Sequence, residues 1–222
     1  MAAPVTLTAV PSIEPCDAVA PHPMMPRWKR AIDVAIAGLA IVVLTPLITA
    51  LAIAVSLDSP GGPFYRQTRV GKGGRPFTCW KFRSMYRGAD SHLIRLQGCN
   101  EAKGLIFKMR DDPRRTRVGR LLRRTSLDEL PQLLNVLRGE MSMVGPRPPL
   151  AHEVLRYDEH AWRRLDAVPG ITGLWQVTDR ANHDFENMVE LDIRYAQSLS
   201  LRLDLVILLK TVPTVLIGRG SY

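Results

Sequence analysis

Two carboxylates stand side by side at Asp128 and Glu129, inside Thr125-Ser126-Leu127-Asp128-Glu129-Leu130-Pro131-Gln132. Adjacent acids can hold a divalent cation or supply a nucleophilic oxygen, yet they are equally at home in the first turn of a helix, where the dipole favours them. Ser126-x-x-Glu129 has capping-box spacing and Gly139 can stop a helix, which favours the structural role. Pro131 strains that assignment, because it cannot donate to Leu127 and sits better at a helix start. A helix beginning later would free both acids. Arg120, Arg123 and Arg124 precede them at helical spacing, and Pro146-Arg147-Pro148 follows. The latter holds a guanidinium on a backbone with little freedom, suited to bidentate contact with phosphate oxygens.

Other chemistries find less material. His22, His92, His152, His160 and His183 show no metal-binding spacing and read as structural or surface residues. Cys16, Cys79 and Cys99 are an odd set without Cys-x-x-Cys spacing, which predicts free thiols in a reducing compartment. Gly71-Lys72-Gly73-Gly74 lacks the spacing and terminal Lys-Ser/Thr of a P-loop and reads as a hairpin turn. Thirty Lys and Arg against 21 Asp and Glu give a formal charge of +9, much of it in the arginines between Arg110 and Arg124. Such a surface attracts phosphates, nucleic acid or an anionic membrane. The alternative class is therefore a membrane-anchored nucleic-acid-binding or scaffold protein. No helix-turn-helix, RNA-recognition or zinc pattern supports it, and aromatic residues are only 6%.

The positioning elements begin after a Pro-rich tail, 1–26, read as disordered. Val34 to Leu57 is uncharged for 24 residues between Asp33 and Asp58, long enough to enter a membrane. Thr45-Pro46 falls mid-run, where proline bends or breaks a helix. Basic residues flank both ends, Arg27, Lys29 and Arg30 before and Arg66, Arg69, Lys72 and Arg75 after. A simple span carries that bias on one side only. Residues 27–58 are thus expected to form a re-entrant helix-break-helix, leaving 59–222 as a cytosolic, membrane-associated catalytic domain. Within it Phe64 to Met85 reads as a β-hairpin, Ser91 to Gly98 as a short helix, and Leu105 to Met109 as a strand or extended piece. Val154 to Leu165 and Phe185 to Leu209 read as amphipathic helices, and the apolar Leu203 to Ile217 as interfacial or core. The fold class is mixed α/β, mainly helical, with amphipathic interfacial helices.

Several of these stretches, taken in order, resemble one family. The apolar segment with Thr45-Pro46, Lys81-Phe82-Arg83-Ser84-Met85, Arg123-Arg124 running into Asp128-Glu129-Leu130-Pro131-Gln132, Val144-Gly145-Pro146-Arg147-Pro148 and Pro169-Gly170-Ile171-Thr172-Gly173 are similar to the monotopic phosphoglycosyl transferases of bacteria. The helix break departs from the commoner Ser-Pro, but a threonine hydroxyl can also bond back to a helical carbonyl. The resemblance implies that Asp128 attacks the sugar-bearing phosphorus of a nucleoside diphosphate sugar, a UDP-sugar, and holds a phosphosugar that undecaprenyl phosphate then takes. It implies Glu129 as the partner carboxylate holding Mg²⁺ with Asp128, and Arg123 and Arg147 on phosphate oxygens. It places the chain among inner-membrane lipids on the cytoplasmic face, in exopolysaccharide or other glycoconjugate synthesis, with no nucleic acid, and it admits a homodimer. An aspartate of ordinary pKa is ionised at neutral pH and would need no general base.

Overall fold

The computed structural model describes residues 25–179 and 184–217. The tail up to residue 24, with Cys16 and His22, lies outside them, as does His183.

Helix α1, Arg27–Asp58, runs unbroken through Pro46. The expected break at Thr45-Pro46 is therefore corrected to one continuous helix. Proline removes a single backbone bond, and the neighbouring turns keep theirs. The Thr45 hydroxyl donates to the Ile41 carbonyl at 2.7 Å and Thr49 to Thr45 at 2.9 Å. Neither reaches Val42, whose carbonyl the proline leaves without its usual donor. One stripe of α1 faces the rest of the molecule along its whole length. Ala37, Ala40 and Ile41 pack with Leu133, Val136 and Met141, and Ile48, Leu51, Ala52 and Val55 pack with Phe82 and Leu122. That three-to-four spacing is the apolar face of an amphipathic helix. The opposite face is apolar too, with Leu39, Val42, Val43 and Leu57 all exposed.

The hairpin forms as expected. Strands β1, Phe64–Val70, and β2, Pro76–Phe82, pair antiparallel in the register Phe64↔Phe82 to Val70↔Pro76. The short helix is α2, Ala89–Leu96, and 105–109 is irregular. Helix α3, Arg117–Thr125, is capped by Thr116, whose hydroxyl accepts from the Gly119 amide at 2.9 Å. Next come a 3-10 turn, Leu127–Gln132, and helix α4, Leu133–Arg138, which Gly139 ends in the left-handed conformation. Strand β3, Ser142–Val144, pairs in parallel with β4, Gly170–Thr172.

Two predicted helices are corrected. The region 154–165 holds α5, Ala151–Val154, then α6, Glu159–Trp162, and a 3-10 turn at Arg163–Asp166. The Asp158 side chain accepts from the Ala161 amide at 2.8 Å and so starts a new helix where the pattern predicted continuity. After α7, Leu174–Thr178, the long helix predicted from Phe185 is two: α8, Phe185–Gln197, and α9, Leu201–Ile217. The Ser198 hydroxyl bonds back to Arg194 at 2.6 Å and the Ser200 hydroxyl accepts from Leu203 at 3.3 Å, closing one helix and opening the next.

Candidate active site

The acids sit where two helices fail to join. Ser126 ends α3 with φ 55° and ψ 17°, the one positive-φ residue other than glycine among the described residues. It caps nothing with its side chain, so the predicted capping box does not form. The chain instead turns sharply into the 3-10 segment, α4 starts only after Pro131, and both carboxylates are released from a regular helix. A non-glycine residue in this region costs about 1–2 kcal/mol and is kept where the surroundings demand it.

Asp128 is 6% exposed, at the wall of a cleft of about 180 Å³. Glu129, Arg123 and Arg147 line the same cleft, so the four residues predicted from sequence meet in one place. Arg123 comes from the last turn of α3. Arg147 comes from the loop after β3, which β4 holds by crossing it closely. A Cβ added to Gly170 would lie 2.0 Å from the Gly145 nitrogen, and one added to Gly145 would lie 2.3 Å from the Val168 carbonyl oxygen. Only glycines allow the two backbones to approach so closely. The bonds from Gly145 to Thr172 (2.8 Å) and from Gly170 to Pro146 (2.9 Å) lock the crossing.

A fifth residue, whose role sequence reasoning did not assign, is Lys81. On β2, its Nζ meets the Glu129 carboxylate at 2.7 Å. Its signal was a lone cation between Trp80 and Phe82 on a half-buried strand. Buried Asn135 fastens this strand to α4, accepting from the Trp80 amide at 3.1 Å and donating to Thr78 at 2.6 Å. Burial pushes the Asp128 carboxyl up to about 6, while Lys81 and Arg123 pull it down and Glu129 adds to the rise. The expectation of an ordinary aspartate is thus corrected, although most of the group remains ionised at neutral pH. The surroundings are strongly cationic: Arg69, buried behind Arg147, is held below the usual guanidinium range by burial and then by Arg147.

A second lobe of about 430 Å³ opens from the cleft and shares Asp128, Arg123 and Arg147 with it. On another side an apolar groove of about 270 Å³ runs between α1 and α9 and shares Ser126, Glu129 and Gln176 with the cleft. The arginine run is divided by the fold. Arg114 is buried against Asp112 at 2.7 Å, Arg123 enters the cleft, and Arg115 donates to backbone carbonyls of its own loop. Arg117, Arg120 and Arg124 stay exposed on α3, so the run is shared between a buried pair, the cleft and one helix face.

The family model described as "Bacterial sugar transferase" matches residues 24–218. The chain belongs to the bacterial sugar transferases. It is a phosphoglycosyl transferase. This sugar transferase is 45% identical over 198 residues to the exopolysaccharide production protein ExoY of Sinorhizobium fredii, covering 87% of this chain and 88% of that one. It is 45% identical over 205 residues to the UDP-glucose:undecaprenyl-phosphate glucose-1-phosphate transferase of Caulobacter vibrioides, 87% and 72% of the two chains. To the undecaprenyl-phosphate galactose phosphotransferase of Salmonella typhimurium it is 42% identical over 199 residues, 87% of this chain and 41% of that protein.

Proposed function

We propose that this sugar transferase moves a sugar 1-phosphate from a UDP-sugar to undecaprenyl phosphate through an aspartyl-phosphosugar on Asp128, as the first membrane step of exopolysaccharide or related synthesis. The observation that carries the reading is the buried Asp128 carboxylate beside Glu129 and Lys81, in a cleft that Arg123 and Arg147 enter from separate elements. Attack on a diphosphate by a carboxylate is opposed by like charge, and guanidinium groups aimed at the phosphate oxygens offset that repulsion. An Asp128 oxygen bonds to the sugar-bearing phosphorus, the bond to the bridging oxygen breaks, and nucleoside monophosphate leaves with the electron pair. A phosphate oxygen of the lipid then bonds to the same phosphorus, and the carboxylate is released unchanged. The apolar groove that reaches Glu129 and Gln176 supports entry of a lipid acceptor from the membrane side. The names of the relatives support the donor and acceptor.

Mg²⁺ fits the residues present. Asp128, Glu129 and the Gln176 side-chain oxygen, a buried atom without a hydrogen-bond partner, are hard oxygen donors lining one cleft. Among the described residues no group of three or more His, Cys, Asp or Glu gathers to hold a metal. That sparse set suits an ion whose shell the donor's phosphates complete. When bound, the ion supplies positive charge against the diphosphate. Activity is expected to vanish with a chelator and return with added Mg²⁺.

Membrane attachment from the cytoplasmic face alone is supported by the ends of α1. At about 1.5 Å per residue a helix of this length exceeds the roughly 30 Å hydrocarbon core, so a crossing would put its ends on opposite sides. Both ends bind the same domain. Lys29 meets Asp204 at 2.7 Å and Asp33 accepts from Met143 at 3.0 Å, while Asp58 accepts from Val118 at 2.9 Å. Cysteines placed before Arg30 and after Asp58 should both react from the cytoplasm, and labelling of either from outside rejects the topology.

The deciding test of the chemistry is mass spectrometry of enzyme quenched with donor alone. A phosphosugar adduct on Asp128, absent from Asp128→Asn, is expected; an adduct elsewhere, or none in a single turnover, overturns the mechanism.

A further inference from the structure

The segment carrying Arg147 is gripped from behind by two buried guanidinium groups. Arg164, 1% exposed in the 3-10 turn at Arg163–Asp166, donates through Nη2 to the Arg147 carbonyl at 3.2 Å. Arg69, on β1, donates through Nη1 to the next carbonyl, that of Pro148, at 2.9 Å. Each guanidinium is itself oriented. Arg69 is held by the Gln67 side-chain oxygen at 2.7 and 3.0 Å. Arg164 is held by the Asp192 carboxylate on α8 and by the Tyr157 hydroxyl at 2.8 Å.

Stability alone is a poor reason for this arrangement. A buried ion pair is often no better than packed apolar side chains of the same volume, because desolvation cancels most of the attraction. The Arg164 Nε is moreover buried with no hydrogen-bond partner, a further cost. What the pair does supply is direction. Pro146 and Pro148 restrict the backbone on either side of Arg147, and fixing the carbonyls of Arg147 and Pro148 removes much of the remaining freedom.

We propose that Arg164, oriented by Asp192 and Tyr157, is a positioning residue for Arg147: it fixes the Arg147 carbonyl and so the direction in which the Arg147 guanidinium enters the cleft. This rests on the assignment of Arg147 to phosphate binding. It links α8, distant in sequence, to the affinity of the cleft for the diphosphate.

The test is a double-mutant cycle read by UDP binding to the full chain in detergent or nanodiscs. The pair replacement Arg164→Met/Asp192→Leu keeps the volume apolar and leaves no lone buried charge, so the fold should survive. The replacement and Arg147→Ala should each weaken UDP on the order of tenfold, the loss of one charged hydrogen bond. Combined, they should weaken it no further than Arg147→Ala alone, because the positioned group is gone. An unchanged affinity in the pair replacement, or losses that multiply when combined, overturns the proposal. Should the pair replacement fail to fold, Tyr157→Phe runs the same cycle. It removes one bond from Arg164 and should weaken UDP several-fold in the natural chain and not at all beside Arg147→Ala; no effect, or equal effects in both, overturns the proposal. Natural protein that binds neither UDP nor pyrophosphate brings down the phosphate-transfer reading itself, and this inference with it.

Discussion

Removing the proposed nucleophile should make the protein more stable. The Asp128 carboxyl is raised from 3.8 to about 6, first by burial. A raised folded-state pKa means that the folded protein prefers the protonated acid, so ionising it works against folding. At about 1.4 kcal/mol per pH unit, the shift costs about 3 kcal/mol above pH 7. The cost is absent below about pH 4, where folded and unfolded chains are both protonated, and grows through the window from about 4 to 6. Asp128→Asn keeps the shape of the neutral acid and cannot ionise, so it escapes the cost. For a chain of this size about 3 kcal/mol corresponds to roughly 6–12 °C in the melting midpoint. Thermal unfolding of the natural protein and Asp128→Asn in the same detergent, at pH 7.5 and at pH 4.5, measures the difference. A rise at pH 7.5 that mostly disappears at pH 4.5 is expected. A variant melting at or below the natural protein at pH 7.5, or a gap unchanged by pH, refutes the burial argument.

The same carboxyl sets the acid limb of activity: kcat/KM for nucleoside monophosphate release should fall as the pH drops and the carboxyl is protonated, because only the ionised oxygen attacks. Lys81→Met should shift that limb to higher pH, since Lys81 holds the carboxylate ionised; an unmoved limb rejects its electrostatic role. Gly170→Ala should cost about 1–3 kcal/mol or more and reduce activity, because the new methyl would lie 2.0 Å from the Gly145 nitrogen; denaturant unfolding measures it. In the same measurement Ser126→Val should destabilise the protein beyond the strain the natural serine already carries, as a β-branched side chain is placed at φ 55°.

What could be read from the chain was what neighbours in sequence decide. The uncharged run makes α1, the alternating residues around Gly71–Gly74 make the hairpin, and Pro131 delays α4 until after Asp128 and Glu129. The four residues assigned to the cleft were singled out by the family resemblance of their short motifs, since the adjacent acids by themselves favoured a helix start. Tertiary contacts decided the rest. The helices predicted over 154–165 and from Phe185 are interrupted where Asp158, Ser198 and Ser200 turn their oxygens on the backbone, a choice apolar periodicity does not register. Pro46 leaves α1 whole, and one stripe of it packs on the domain from Ala37 to Val55. The partnership of Lys81 with Glu129 spans 48 residues, and the grip of Arg164 on the Arg147 carbonyl needs α8 to bring Asp192 alongside. Sequence specified the side chains that can bond to phosphate. The pKa of the attacking oxygen and the direction of the arginine that meets it depend on desolvation and on distance, and both are set only when remote segments pack.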